Sequence, residues 1–171
     1  MRRSAPALLL AFATLACARP PAADPAYAAE IGTNRALRES RLTSENGWLT
    51  LVALHWLTPG ENVVGTDPAS AIALQAPDIP AKACSFDLSP DGAVRLRVEP
   101  GAPVTVNGAP PSGAPLVTDR AGKPDVVYVG RIRLTVIERA GRLAVRGRDP
   151  ESPLRTGFPG LTYFPVDPAL R

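Results

Sequence analysis

The densest group of chemically active side chains lies between positions 146 and 155. It combines three arginines with two carboxylates, which are Arg146, Arg148, Asp149, Glu151 and Arg155. Because guanidinium forks match planar anions, Arg146, Arg148 and Arg155 could together bind a carboxylate or a phosphate. The same charges could instead pair with one another across a solvated loop, and the alternating signs favour this structural interpretation.

The candidates for catalysis are Asp149, Arg148, Glu45 and His55. A nucleophile needs a base beside it, and His55 is the only histidine in the chain. It lies in an apolar run, Leu54-His55-Trp56, where a packed histidine with one hydrogen bond is the commoner outcome. There is no Gly-x-Ser-x-Gly elbow, and one histidine with one free cysteine provides too few ligands for a zinc site. The sequence therefore predicts no metal and no cofactor, and it favours a binding module over an enzyme.

The start of the chain has the pattern of a bacterial lipoprotein signal. A basic N-terminus is followed by the uncharged apolar run Ala5–Ala13 and then by Ala16-Cys17. The apolar run is about half the roughly 20 residues that cross a bilayer, so it predicts a cleaved signal and not a membrane anchor. Residues 1–16 are the predicted signal peptide, and Cys17 is the predicted site of lipidation.

Lipidation of Cys17 also predicts where the protein resides. Ala18 after the cysteine is similar to the outer-membrane sorting pattern of Gram-negative lipoproteins. We expect a protein anchored in the cell envelope, on the periplasmic face of the outer membrane. A secreted or soluble periplasmic protein is the alternative. Residues 17–28 are rich in alanine and proline and predict an extended tether. The expected partners are the membrane, through Cys17, and an envelope protein or glycan.

Charge and cysteine content narrow the choice of partners further. The whole chain carries +3, but Arg2 and Arg3 belong to the predicted signal. Without them 17 basic and 16 acidic residues remain, and no basic block resembles a nucleic-acid footprint, so nucleic-acid binding is not expected. The chain has two cysteines. With Cys17 acylated, Cys84 has no disulfide partner, and we expect it to be buried like a small apolar residue.

The apolar pattern predicts a helix followed by a mainly β domain. An amphipathic helix is expected from Ala28 to about Leu42, within a helix-and-turn segment at 29–47 that precedes a β domain at 48–171. Both alternating faces of Trp48–Leu57 are largely apolar, which predicts a central buried strand, with a buried helical segment as the alternative. Trp48 and Trp56 are accordingly expected in the core.

Beyond Gly60 the apolar period is two, which is typical of strands with one buried face. Alternating runs at 84–88 and 94–98 flank Asp91-Gly92, a strong hairpin signal. Two further runs flank Ala140-Gly141, and Asn107-Gly108 also predicts a turn. Short strands with frequent turns predict a small antiparallel β-sandwich or barrel.

Five short motifs follow one another between Gly60 and Arg139. They are Val63-Val64-Gly65, Ile72-Ala73-Leu74, Val106-Asn107-Gly108, Tyr128-Val129-Gly130 and Ile132-Arg133-Leu134. In this order they resemble the forkhead-associated (FHA) β-sandwich, whose loops bind phosphothreonine through an arginine after the first glycine and a Ser-x-x-His-type loop. Here Thr66 follows Gly65, and residues 80–85 contain neither histidine nor arginine. The resemblance implies an FHA-like sandwich. Because both phosphate-binding motifs are missing, phosphopeptide binding is not expected.

A second set of motifs covers most of the chain after the signal. It comprises Ser44–Val52, His55-Trp56-Leu57, Gly60, Val145–Asp149, Phe158, Gly160-Leu161 and Tyr163–Asp167. These motifs resemble the domain-of-unknown-function 1684 family, which has no established activity. Members usually continue into a second half, so this chain resembles the first half only, as a short or a truncated form. The alternative to an envelope binding module is therefore a hydrolase-type enzyme, or a remnant of one, using the region of Arg148, Asp149 and Glu45.

Overall fold

The computed structural model describes residues 24–168, which form two helices and nine strands. In chain order these are α1 (Pro25–Thr43), β1 (Leu51–Trp56), β2 (Gly60–Gly65), β3 (Ile72–Ala73), β4 (Cys84–Leu88), β5 (Val94–Val98), β6 (Val104–Val106), β7 (Val127–Val129), β8 (Ile132–Arg139), β9 (Arg142–Arg148) and α2 (Pro153–Thr156). Backbone contacts divide the described chain into two compact units. One consists of residues 24–34 and 163–168, and the other of residues 35–162. The predicted signal peptide and Cys17 lie outside the described residues.

The strands pair into two sheets within the described chain. One sheet has five strands in the order β1-β9-β8-β7-β6, and the other has four in the order β3-β2-β4-β5. All pairs are antiparallel except β2 with β3. One apolar cluster joins the inner faces of both sheets, with Phe86 and Val64 from one and Leu134 and Val145 from the other. The prediction of a mainly β sandwich after a helix is confirmed.

The predicted turns connect the strands as the sequence indicates. β4 and β5 form a hairpin in which Phe86 pairs with Leu96. Ala140 and Gly141 both have positive φ, 49° and 73°, which is the type I′ geometry that matches the twist of a two-residue hairpin. Asn107 and Gly108 have the same combination, with φ of 54° and 82°, in a turn that returns β6 to a single bridge between Val106 and Ala109. Local chemistry therefore determines these three turns.

Helix α1 begins at Pro25, inside the segment predicted as a tether. The Asp24 carboxylate accepts a hydrogen bond from the Ala26 N–H at 2.9 Å, and Pro25 occupies the first helical position. Aspartate followed by proline is a helix-start signal, which explains the early start. No helix in residues 24–168 is long and apolar enough to cross a membrane.

The prediction of a central buried strand at Trp48–Leu57 is wrong. Trp48–Thr50 form a 3-10 turn, and β1 is an edge strand that pairs only with β9. Trp48 is 75% exposed and Trp56 is 37% exposed, so neither tryptophan belongs to the core. The physical reason is that the sandwich core covers one face of β1 only. The second apolar face of the strand therefore points outward.

Candidate functional site

The outer face of the five-stranded sheet carries a group of arginines. Along β8 and β9 alternate side chains, such as Leu134 and Val145, are buried in the core, and the positions between them face outward. Arg133 on β8 pairs in register with Arg148 on β9, and Arg146 lies two residues before Arg148 on the same face. We call Arg133, Arg146 and Arg148 the arginine cluster. The period of two, combined with the pairing of β8 and β9, brings them together.

The arginine cluster is poorly neutralised by the residues around it. Arg148 donates hydrogen bonds to the Gly47 carbonyl at 2.6 Å and to the Thr50 hydroxyl at 3.0 Å, both uncharged acceptors. Arg133 donates to the Glu45 carbonyl, and its guanidinium lies 3.8 Å from the Glu45 carboxylate, which is 74% exposed. An exposed pair at this distance contributes little.

Arg146 is the least satisfied member of the cluster. Within residues 24–168 it has no hydrogen-bond or ion-pair partner, and its Nε is buried. Asp119 senses the charge of Arg146, but its carboxylate already accepts from Arg139 at 2.8 Å and from the Glu138 N–H at 2.9 Å. The donors of Arg146 are thus not taken up by the described protein.

The protonation equilibrium of Arg148 reflects the same imbalance. Burial lowers the pKa of the Arg148 guanidinium, and the positive charges of Arg146 and Arg133 lower it further. Like charges placed opposite one another across a strand pair are destabilising. A bound anion would relieve this repulsion and use the open donors.

Two adjoining cavities on the outer face share Arg146 and Arg148. The first, which we call the cationic pocket, has a volume of about 370 Å³. Its lining combines basic and polar side chains with the apolar Pro124 and Val126, and the former include Asn46, Lys123, Tyr128, Arg133 and Thr135. The second, which we call the apolar groove, has a volume of about 470 Å³ and is lined chiefly by Trp48, Leu51, Leu54, Trp56 and Ile137. The arginines therefore stand at the boundary between a charged and an apolar compartment.

Asp149, predicted as a candidate acid or base, is tied into a structural ion pair. Both of its carboxylate oxygens accept hydrogen bonds from Arg131 at 2.9 Å, and one also accepts from the Glu151 N–H at 2.8 Å. Its side chain is 2% exposed. Burial alone would raise its pKa, but the Arg131 and Glu151 hydrogen bonds and the Arg131 charge outweigh this, so the pKa of Asp149 is lowered.

The remaining predicted site residues lie apart from one another. Arg155 donates to the carbonyls of Thr43 and Pro150, each at 2.7 Å, and so joins α2 to the end of α1. His55 pairs in register with Val145, on the core side of β1 and away from the arginine cluster. Its Nε2 is buried without a hydrogen-bond partner in the described residues. Of the predicted residues, the fold brings Glu45, Arg146 and Arg148 to one surface.

Nucleophile and metal chemistry find little support around these cavities. Cys84 is fully buried, as predicted, and is a free thiol among the described residues. Burial, and to a smaller extent the charge of Glu99, raises the pKa of its thiol to about 12. Within residues 24–168, no three or more His, Cys, Asp and Glu side chains lie close enough to hold a metal ion.

The loop after β2 and the loop before β4 are hydrogen-bonded to each other. The Thr66 N–H donates to the Pro80 carbonyl at 3.1 Å, and the Asp67 N–H donates to the Ala81 carbonyl at 3.2 Å. A Cβ at Gly65 would lie 1.9 Å from the Ala81 oxygen, so only glycine permits this close approach. The backbone donors of the loop after β2 are therefore occupied by the loop before β4.

Two residues of the site, Arg133 and Lys123, were not predicted from the sequence. Arg133 alternates with buried residues on β8, so its outward direction was predictable, but its pairing with Arg148 was not. Lys123 lies in a loop without periodicity, so no pattern in the sequence indicated it.

Comparison with protein-family models gives no match for this chain, and comparison with curated proteins gives none either.

Proposed function

We propose that this chain is a lipid-tethered binding module of the cell envelope that captures a ligand bearing a carboxylate or phosphate. The binding site is the cationic pocket on the outer face of the five-stranded sheet. The anchor is the acylated Cys17. The acidic group would belong to an envelope protein, a glycan or a smaller molecule.

The proposal rests on one observation, which is that the arginine cluster has fewer negative charges beside it than positive ones. Among the described residues, one carboxylate lies within 4 Å of the three guanidinium groups, the exposed Glu45 side chain at 3.8 Å from Arg133, and the more distant Asp119 is already paired with Arg139. Proteins normally pair or solvate such charges, and desolvated clusters of one sign are typical of sites that receive the opposite charge. Arginine forks also give carboxylates and phosphates two parallel hydrogen bonds.

The hydrolase alternative has weaker support from the geometry. The Asp149 oxygens are taken up by Arg131 and Glu151, and His55 faces the core side of β1. General acid–base catalysis requires a titratable group within hydrogen-bond reach of the reacting atom. Glu45 is the only one of the predicted acids that is exposed beside the arginine cluster, and a single carboxylate has no partner base there in the described chain.

Replacement of Arg146 by glutamine is expected to separate binding from stability. With pyrophosphate as the probe and the Cys17→Ala full chain in solution, we expect Arg146→Gln to weaken binding at least about tenfold, because a charge-assisted hydrogen bond contributes roughly 1.5–3 kcal/mol. The free energy of unfolding should stay unchanged or rise slightly, since one of three like charges is removed. Isothermal titration calorimetry and urea unfolding measure the two quantities.

The matched control is Arg97→Gln on the other sheet. Arg97 is exposed and pairs with Asp87 at 3.3 Å, so its loss should leave pyrophosphate binding intact. Binding should also weaken as salt concentration rises, because exposed charges are screened. If the wild-type chain does not bind pyrophosphate, or if Arg146→Gln binds it as well as wild type does, the proposed site is wrong.

The anchor is tested by metabolic labelling with palmitate in a Gram-negative host. We expect the wild-type chain to incorporate label and to fractionate with membranes. Cys17→Ala should incorporate none, because it removes the thiol that would be acylated. Cys84→Ala is the control and should label like wild type, since Cys84 is fully buried. Label retained in Cys17→Ala would rule out Cys17 as the lipid site.

A further inference from the structure

The apolar groove takes no part in the binding of a small anion in the cationic pocket. Its lining includes the exposed side chains of Trp48, Leu54 and Trp56. Exposed apolar side chains gathered beside a rim of charge mark binding surfaces more often than ordinary protein surface. The groove and the cationic pocket share Arg146 and Arg148, so one ligand can occupy both.

We infer that the ligand is a single-chain anionic lipid, with its acidic head in the cationic pocket and its alkyl chain in the apolar groove. This inference rests on the proposed function and names its ligand class. The head would accept hydrogen bonds from the arginine cluster and from Lys123. The chain would run from Arg148 past Leu54 toward Trp56.

The strand register supports this direction for the alkyl chain. On the outer face Leu51 pairs with Arg148, Leu54 with Arg146 and Trp56 with Ala144. The distance along β1 from Leu51 to Trp56 is roughly 17 Å. Arg146 and Arg148, which have no ion-pair partner among the described residues, lie at the end next to the cationic pocket. At the far end Arg139 also lines the groove but is paired with Asp119 at 2.8 Å, and the Arg142 guanidinium lies 4.6 Å from the centre of the Trp56 ring.

Charge complementarity selects this occupant over a second copy of the chain. A two-fold dimer places the same patch of both copies against each other. Here that would bring two arginine clusters together. A concave groove of about 470 Å³ also suits one small ligand better than a flat bilayer surface. An amphiphile with a negative head matches both the charge and the apolar lining.

The test uses the two tryptophans of the chain, both of which line the groove. The Cys17→Ala full chain is titrated with butyl, octyl and dodecyl phosphate below their micelle-forming concentrations, with tryptophan emission as the signal. Each methylene that is buried should improve affinity about fourfold. Allowing for incomplete burial, we expect dodecyl phosphate to bind about a hundredfold tighter than butyl phosphate and to shift emission to the blue.

Two variants separate the head from the chain. Leu54→Ser should weaken dodecyl phosphate about tenfold while leaving pyrophosphate binding unchanged. Arg146→Gln should weaken both ligands. Leu154→Ser is the control, because Leu154 is also exposed but lies on α2 and does not line the groove. Dodecanol, which has the same chain without the charge, should bind at least about tenfold more weakly than dodecyl phosphate.

The outcomes distinguish the inference from the proposed function. If pyrophosphate binds but chain length has no effect, the lipid inference is overturned and the anion site remains. If neither pyrophosphate nor dodecyl phosphate binds, both are overturned. Chain-length dependence that survives in Leu54→Ser and Arg146→Gln would mean non-specific adsorption and would also overturn the inference. Two further results would also overturn the inference. One is binding to anionic vesicles without binding to the soluble alkyl phosphates, and the other is self-association of the chain that Leu54→Ser abolishes.

Discussion

Asp149→Ala should lower the free energy of unfolding by about 2 kcal/mol, because it removes a buried carboxylate that accepts three hydrogen bonds. Asp149 is the acceptor of two Arg131 hydrogen bonds and of the Glu151 N–H in the turn that leads into α2. The side chain is almost fully buried, so water cannot replace these bonds. Urea unfolding followed by circular dichroism measures the loss.

Glu151→Ala is the matched control for this substitution. Glu151 also pairs with Arg131, at 3.2 Å, but its side chain is 67% exposed, and exposed pairs contribute 1 kcal/mol or less. Equal losses in the two variants would contradict the structural role of Asp149. If Asp149→Ala is as stable as the wild type, the Asp149 carboxylate has no structural role, and this result would strengthen the enzyme alternative.

Asp149→Ala should also change how the stability of the protein depends on pH. The pKa of Asp149 is lower in the folded chain than its ordinary value of 3.8, so the folded state binds fewer protons than the unfolded state as pH falls. The stabilisation is present above the ordinary pKa and is lost as pH falls through the folded pKa. The difference between wild type and Asp149→Ala should therefore be largest above about pH 5 and should shrink on acidification.

Phe86→Ala should cost about 4 kcal/mol of stability, which is a large part of what a domain of this size possesses. Phe86 is fully buried and is the largest such side chain among the described residues. It lies on β4 between Asn62 of β2 and Leu96 of β5. The deletion removes apolar contact and leaves a cavity between the two sheets. Thermal and urea unfolding should both report it.

Leu154→Ala is the control for the loss of an apolar side chain. Leu154 is 66% exposed, so its replacement should change stability by no more than about 0.5 kcal/mol. Phe86→Leu keeps most of the volume and should cost less than Phe86→Ala. A loss below about 1 kcal/mol in Phe86→Ala would show that the interior between the sheets is not packed as described.

Predictions that rest on local chemistry agree with the structure. The Asp91-Gly92 hairpin, the Ala140-Gly141 turn and the burial of Cys84 follow from residues within a few positions of one another. In both turns a glycine, Gly92 or Gly141, takes a positive φ that is accessible chiefly to glycine, so these turns are encoded where they occur. The period of two likewise determines which side chains of a strand share a face.

The position of a strand within a sheet depends on long-range pairing, and here the prediction from the sequence was wrong. An apolar run such as Trp48–Leu57 has the same pattern in a central strand and in an edge strand with one exposed apolar face. Its place beside β9, at the margin of the sheet, is decided by pairing between residues about ninety positions apart. The physical reason is that burial of the second face requires another layer, and no local signal reports whether that layer exists.

The charged segment at 146–155 shows the same division. By itself the sequence determined that arginines and carboxylates are concentrated there, and that Arg146 and Arg148 share a face of one strand. Only the tertiary structure decided that Asp149 pairs with Arg131, and that Arg133 joins Arg146 and Arg148 on the outer face. Charge type and alternation are local properties of a strand, whereas the partner of each charge depends on cross-strand register. That register is set by the burial of apolar side chains far away in the sequence.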